Sequence, residues 1–437
     1  MAVPDSPAQH YRSTFFSAFM RFLRVLPLGL AFLGLLGGCR HDDVLVVPNP
    51  TIYPLVLAAN SLVLNPTGYA PLSAALSFHT ASAGTTTVLV HGRHGATSDV
   101  VQRYHDTGTT HEVPVLGLYP NYTNDVEITF APEDGWQMDT TSVEITTGAL
   151  PPNLPTAIAV TTPPPAGPGS LNLVSNFSAS SPQMPLVVDS FGDIRWVLDF
   201  RTHPVLQRLA YDCGVSRLRN GHYLFGDKST SQLYEIDGLG ELLNTWKMPG
   251  YTFHHEVMEK PDGNFLVTVN KTGSTHPDGL PTVEDVVIEL DRHTSTVTHE
   301  WDLKQLLDEG RHALEADPVD WAHVNAVAYD PADNTIVVSA RFQGVVKLNY
   351  DDRIVWLLAP RKGWGHNRRG EDLNQFLLTP LDATGRPIAN PEVALGSRNH
   401  PDFEWNWYQH SPSRMPNGDW LLFDNGTHRN FDPTPGT

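Results

Sequence analysis

Three histidines and one arginine are the residues of this chain best placed to do chemistry. His255, His323 and His410 each begin a short hairpin signal, and Arg341 closes one. A neutral imidazole is a nucleophile or base near pH 7, and a protonated one is an acid. A guanidinium is permanently charged and grips oxyanions through paired N–H donors. Together they suit a site that binds an anionic group and moves it.

The elements that position them follow from spacing. In DWAHVNAVAYDPADNTIVVSARFQG (Asp320–Gly344) two alternating apolar runs flank a polar turn centred on residue 332, which predicts a hairpin. His323 lies nine residues before that centre and Arg341 nine after, so antiparallel pairing sets them opposite each other. Asn325, two residues along, shares the face of His323.

The construction repeats. PDG follows His255 by six residues, PNG follows His410 by six, and RNG follows Cys213 by six; each turn leads into FLVTVN, WLLFDN or YLFGDK. Asp-Gly and Asn-Gly between apolar runs mark tight hairpins, because both central positions need positive φ. Folding about these turns pairs Cys213 with Lys228, His255 with Asn270 and His410 with Asn425. A second repeat closes each unit. DSFGDIRW, IDGLGELLNTW, LDRHTSTVTHEW and NYDDRIVWLL each join an acidic turn to an apolar strand with Trp at or near its end, which reads as packing between units. Small antiparallel sheets in series predict a β-propeller, with first strands lining its channel and four units complete by residue 358.

HHEVMEKPDGNFLV, then DWAHVN followed after fourteen residues by ARFQGV, then WYQHSPSRMPNGDWLLFDNG resemble the blade motifs of bacterial arylsulfate sulfotransferases, the type that does not use PAPS. The resemblance runs from about Val44 to the end. It implies a six-bladed propeller behind a small N-terminal β-domain. It also implies transfer of a sulfuryl group from an aryl sulfate donor to a phenolic acceptor through a sulfohistidine, with no cofactor and no metal. Carried over by motif, His410 is the nucleophile, and His255, His323, Asn325 and Arg341 surround the sulfate. His254, Asn425 and Trp407 complete the expected substrate-binding set. Six blades need more chain than follows His410, so the propeller is expected to be C-terminally incomplete and its ring open.

Composition sets the frame. The chain has 437 residues, 40% apolar content, 36 Pro and 34 Gly, which fits a loop-rich all-β protein of more than one domain. A formal charge of −19 argues against nucleic acid or an anionic lipid surface as partner and requires local positive charge for an anionic substrate. RFLRVLPLGLAFLGLLGGC is read as an export signal ending in a lipobox-like LGGC, with lipid attachment at Cys39 and anchoring to the bacterial membrane on the periplasmic side of the outer membrane. Met20 is an alternative start. Removal of 1–38 takes one acidic and three basic residues, leaving 26 basic and 47 acidic and a net of −21. Cys213 is then the only internal thiol, so no disulfide or Cys-based metal site forms within the chain.

The expected order is a signal over 1–38, a β-sandwich over 39–148, a Pro-rich linker over 149–169 and the propeller over 170–437. The sandwich is given no chemistry; its His91-Gly92-Arg93-His94 run reads as a solvated loop, and the domain packs on the propeller or mediates homo-oligomers. Leu303–Leu314 reads as a helical insert, and 361–407 as a long functional loop whose Trp364, Trp405, Trp407 and Tyr408 either stack a phenolic ring or anchor the loop. Two other functions stay open: a metal-dependent hydrolase using the histidines, and a non-catalytic propeller lipoprotein that binds ligands or proteins.

Overall fold

The computed structural model describes residues 52–433, apart from 134, 136–137, 153, 156–157, 163–169, 175–183, 210–212 and 312–316. The export signal, Cys39, the choice of start and residues 163–169 of the Pro-rich stretch lie outside the described residues.

The N-terminal part is two facing sheets. One contains β1 (Ile52–Pro54), β4 (Gly84–Val90), β5 (Val100–Asp106), β7 (Thr123–Pro132) and β8 (Met138–Thr146) in the order β1-β8-β7-β4-β5. The other is β2 (Leu62–Leu64), β3 (Ser73–His79) and β6 (Thr110–Leu116), with β3 central. Alternating inward residues such as Leu76, Phe78, Val88, Val115, Ile128 and Phe130 fill the space between them.

Five further sheets follow in series. Sheet I is β9 (Leu171–Val174), β10 (Leu186–Asp189) and β11 (Ile194–Val197); sheet II is β12 (Ser216–Arg217), β13 (Tyr223–Asp227), β14 (Gln232–Ile236) and β15 (Leu242–Lys247). Sheet III is β16 (Tyr251–Glu259), β17 (Phe265–Lys271), β18 (Val286–Leu290) and β19 (Val297–Asp302). Sheet IV is β20 (Val324–Asp330), β21 (Thr335–Ala340), β22 (Gly344–Asn349) and β23 (Ile354–Leu358), and sheet V is the hairpin β24 (His410–Arg414) and β25 (Trp420–Phe423). The first strands β16, β20 and β24 are neighbours, so successive sheets are set around a common channel as propeller blades, and the described sheets form an open array.

The recurrent tryptophans tie blade to blade. Trp196 on β11 donates its indole N–H to Gly238 O at 2.7 Å, Trp246 on β15 to Arg292 O at 2.6 Å, and Trp301 on β19 to Asn349 O at 3.0 Å. Each acceptor lies in or beside the turn before the last strand of the following blade. Trp356 on β23, the last of the series, is half-buried and makes no such bond among the described residues.

The sandwich docks on sheet I through one continuous apolar core that includes Leu186, Val188 and Ile194. Fully buried Arg195 crosses this junction, donating to Gly117 O, Ser98 O and Tyr119 Oη, and pairing with Asp189 at 3.0 Å. The 91–94 run is the expected solvated loop, with His91, Arg93 and His94 exposed, and it is tethered at its tip. Arg93 and His94 both reach the carboxylate of Asp193, each at 2.9 Å, in the β10–β11 turn. That partner lies a hundred residues downstream, where local spacing cannot reveal it.

Among the described residues the insert after β19 is helical only over Leu303–Leu306 (α1), which starts where Asp302 accepts from Lys304 N. In the long loop a short helix, α2 (Pro391–Leu395), and two indole bonds supply anchorage: Trp364 to Pro360 O and Trp405 to Val393 O. These two tryptophans are structural; Trp407 and Tyr408 face a cavity instead.

Candidate functional site

The inner strands β16, β20 and β24 each carry a bulge: between Phe253 and Val257, between Val324 and Ala326, and between His410 and Ser413. A bulge re-aims the side chains around it. Beside these bulges His255, His323 and Ser411 adopt positive φ (54°, 50° and 50°), a conformation disfavoured for side chains with a Cβ and concentrated at functional sites.

The bulges decide which expected pairings hold. Arg341 N donates to His323 O at 2.9 Å, so that pair stands opposite as the spacing predicts. His255 does not pair with Asn270. Three residues, 254–256, oppose Thr268 alone, so Asn270 faces Thr252 and its Oδ1 accepts from Glu284 N. Cys213 does not face Lys228 either; its carbonyl accepts from Gly226 N. His410 pairs in the ladder with Phe423, yet its ring still meets Asn425, with Nδ1 3.0 Å from Asn425 Oδ1.

The candidate side chains converge. The His255 and His323 ring centroids are 5.0 Å apart, and those of buried His254 and His255 are 5.2 Å apart. The charges of Arg341 and His255 both bear on His410. Burial lowers the His410 pKa, and these two charges lower it further against the opposing effects of the Asn425 bond and a hydrogen bond to the Tyr408 backbone, so the net shift is below the ordinary 6.5. His410 therefore stays neutral at neutral pH. With Nδ1–H donated to Asn425, Nε2 carries the lone pair.

Arg341 has no carboxylate partner among the described residues. Its Nε is buried without a hydrogen bond, and its guanidinium lies 5.4 Å from the Phe342 ring centre and 5.5 Å from that of Tyr408. A half-buried guanidinium without a carboxylate partner among the described residues has donors to offer an oxyanion. Asn325 is buried, and its amide donates to Gln409 O at 2.9 Å, fixing the backbone immediately before His410. Trp407 lines the cavity that Arg341 borders.

Three acids that the motif reading passed over organise the histidines. Glu284 Oε2 lies 3.3 Å from His255 Nε2 and 3.1 Å from His323 Nδ1. Burial alone would raise its carboxyl, but the His255 hydrogen bond and the His254, His255 and His323 charges outweigh burial and hold it at about 2. Asp320 Oδ2 sits 2.6 Å from His323 Nδ1, and burial raises its pKa. Asp320 could have been found in the DWAHVN motif, three residues before His323. Glu284 enters from the approach to β18 with no local signal.

Glu256 follows His255, and Val327 N donates to its Oε2 at 3.3 Å. Part of its surface opens on the channel, yet protein surrounds it closely enough that lost hydration pushes its carboxyl up to about 7. A raised carboxyl contributes its full stability below the unfolded value of 4.5 and loses it as pH rises through about 7. Glu256→Gln is therefore expected to gain on the order of 2 kcal/mol relative to the parent between pH 5 and pH 8, discounting for channel water. Urea unfolding midpoints at the two pH values measure this. Parallel midpoints for parent and variant would refute the assigned environment.

His254, His255 and Glu284, and likewise Glu284, Asp320 and His323, have donor atoms within 4.8 Å of one another, so these residues could hold a metal ion.

A propeller-type all-β protein with a cluster of histidines, an arginine and buried acids on its inner strands is thus defined. The chain belongs to the arylsulfotransferase family: the model described as Arylsulfotransferase (ASST) matches residues 158–435, and that described as Arylsulfotransferase Ig-like domain matches 61–148. Arylsulfate sulfotransferase AssT of Escherichia coli O6:H1 is 32% identical over 295 residues, covering 56% of this chain and 47% of that one. The protein of the same name from Lelliottia amnigena is 32% identical over 292 residues, 56% and 46%. The chain thus spans about half the length of the curated relatives it matches. A Bacteroides caccae protein of unknown function aligns structurally at a TM-score of 0.30 and 14% identity over 63% of this chain and 93% of that one.

Proposed function

We propose that the chain is an arylsulfate sulfotransferase that moves a sulfuryl group from an aryl sulfate to a phenol through a sulfohistidine on His410. The observation that carries this reading is the neutral His410, held by Asn425 at Nδ1 beside the unpaired cation of Arg341.

In the first half-reaction His410 Nε2 forms a bond to sulfur while the sulfur–oxygen bond to the aryl group breaks and its electron pair leaves with phenoxide. Arg341 stabilises the non-bridging oxygens. His255 or His323, protonated against Glu284, gives its proton to the phenoxide. In the second half the same imidazole takes the proton of an acceptor phenol, whose oxygen attacks sulfur and releases neutral His410. Charge and protons balance over the cycle. Family membership, the absence of a Gly-rich phosphate loop and the convergence of three histidines on one cation support the scheme.

The test is peptide mass spectrometry of the chain from Cys39 onward after brief exposure to 4-nitrophenyl sulfate and an alkaline quench. A sulfuryl adduct on the His410 peptide is the expected result. A folded sample with neither adduct nor released nitrophenol would leave a non-catalytic binding propeller. The metal-donor spacing around Glu284 favours one other reading, a metal-dependent hydrolase, which stoichiometric zinc or calcium by elemental analysis would support over this one.

A further inference from the structure

Beside Arg341 lies a cavity of about 220 Å³. Its apolar walls are aromatic: Phe342, Trp407, Tyr408 and Phe431. Trp407 packs edge-on against Phe431 at 5.0 Å, and Phe342 against Tyr408 at 5.5 Å, so the rings are braced as fixed walls.

The polar part of the lining is one-sided. Arg341, Arg311 and Lys362 contribute three cations, and no Asp or Glu is among the described residues that line the cavity. Arg311 is nearly fully buried. Its Nε and one terminal nitrogen donate only to the carbonyls of Lys362, Phe342 and Gln343 and to the Gln343 side chain, and burial pushes its pKa down to about 10. Asp308, the acid whose charge reaches it, is held by the backbone N–H groups of Gly310 and Gly365. Lys362 stands exposed at the rim, 4.0 Å above the Phe431 ring centre. Trp407 Nε1 and Arg341 Nε are buried donors without acceptors. In a chain of net charge −19, a cavity with three cations, two idle donors and no acid is a selected feature of this place, since surface averaging would give the opposite sign.

We propose that this cavity seats the aryl ring of the substrate and selects rings that carry a second anionic substituent, such as a carboxylate, in addition to the transferred sulfate or the accepting hydroxyl. This rests on the sulfotransferase reading for the direction in which the ring enters: Arg341 borders both His410 and the cavity, so a sulfate held at Arg341 places its ring among the aromatics. The second anion then meets Arg311, Lys362 and the Trp407 indole N–H. A plain phenol leaves those donors unpaired, which is how a polar pocket rejects a ligand lacking the matching group.

The test compares 4-hydroxybenzoate with phenol by calorimetric titration of the intact chain, and 4-sulfooxybenzoate with phenyl sulfate by turnover. The carboxylated member of each pair is expected to bind or react about tenfold better, and Lys362→Glu to erase most of that preference while lowering kcat/KM for phenyl sulfate far less. Trp407→Phe, which keeps the ring and removes only the N–H, should reduce the preference in the same direction. Equal affinities within a pair, with turnover present, would overturn the proposal and leave the sulfotransferase reading standing. Preferential binding of 4-hydroxybenzoate without turnover of any sulfate ester would uphold the cavity's selectivity and overturn the enzyme reading. A preference that Lys362→Glu leaves intact would place the anion elsewhere and sink the assignment.

Discussion

Replacement of His410 by alanine is expected to lower 4-nitrophenyl sulfate turnover by at least about 10⁴-fold, the scale on which loss of a covalent nucleophile is felt. The imidazole supplies the only bond that links donor to acceptor in the proposed scheme, so no neighbouring group can take over both half-reactions. The fold has little at stake. His410 is half-buried, and its ring is held by exposed Asn425 and by the Tyr408 backbone, so the substitution costs about 1–2 kcal/mol of stability. An unchanged circular dichroism spectrum and a small fall in Tm should accompany the loss of activity. Retention of more than a few per cent of parental turnover by a folded His410→Ala chain would sink the sulfohistidine scheme, whatever the family of the protein.

The difference between what the sequence discloses and what it hides lies in whether a residue's partner is set by a local turn. In the hairpin around residue 332 the ladder pairs Asp330 with Thr335 and Ala326 with Ser339, and the bulge at Asn325 then shifts the register by one, which brings Arg341 opposite His323 where counting from residue 332 sets it. The same counting fails for His255 because β16 carries extra residues opposite Thr268; a bulge changes register without changing the pattern of apolar residues. The periodic tryptophans were legible as packing residues, but their acceptors, the carbonyls at Gly238, Arg292 and Asn349, belong to the next blade and follow only from the assembled array. Glu284 is hidden for a related reason. It reaches His255 and His323 from the third strand's approach after an irregular excursion, and it keeps φ at 54° to do so. Among the loop aromatics nothing in composition separates Trp364 and Trp405, which close the loop on its own carbonyls, from Trp407 and Tyr408, which face a cavity. Motif spacing thus locates the histidines and Arg341, while a long-range contact brings Glu284 between two of them.

Arg341→Met is expected to lower kcat/KM for aryl sulfates by about 10²- to 10³-fold, the range found when one oxyanion donor is removed. The same change should move the acid limb of the pH–rate profile. The Arg341 charge opposes a second positive charge on His410 and so lowers its pKa. Without it the His410 pKa rises, more of the imidazole is protonated at a given acidic pH, and the limb shifts to higher pH. Arg341→Lys separates the two effects. It keeps the charge, and with it the position of the limb, but loses the planar fork that matches two sulfate oxygens, so the rate falls while the profile stays. Stability should respond in the opposite sense to activity. The Arg341 Nε is buried without a partner, and a buried donor left without an acceptor is a net cost to the folded state. Met at this position, an apolar chain of similar length beside Phe342 and Tyr408, is expected to leave Tm unchanged or raise it. A variant that loses stability and activity together, with an unshifted limb, would show that Arg341 braces the blade and does not hold the sulfate. A more stable, slower enzyme with a displaced limb would show that the fold keeps an unpaired charge in place for the anion it transfers.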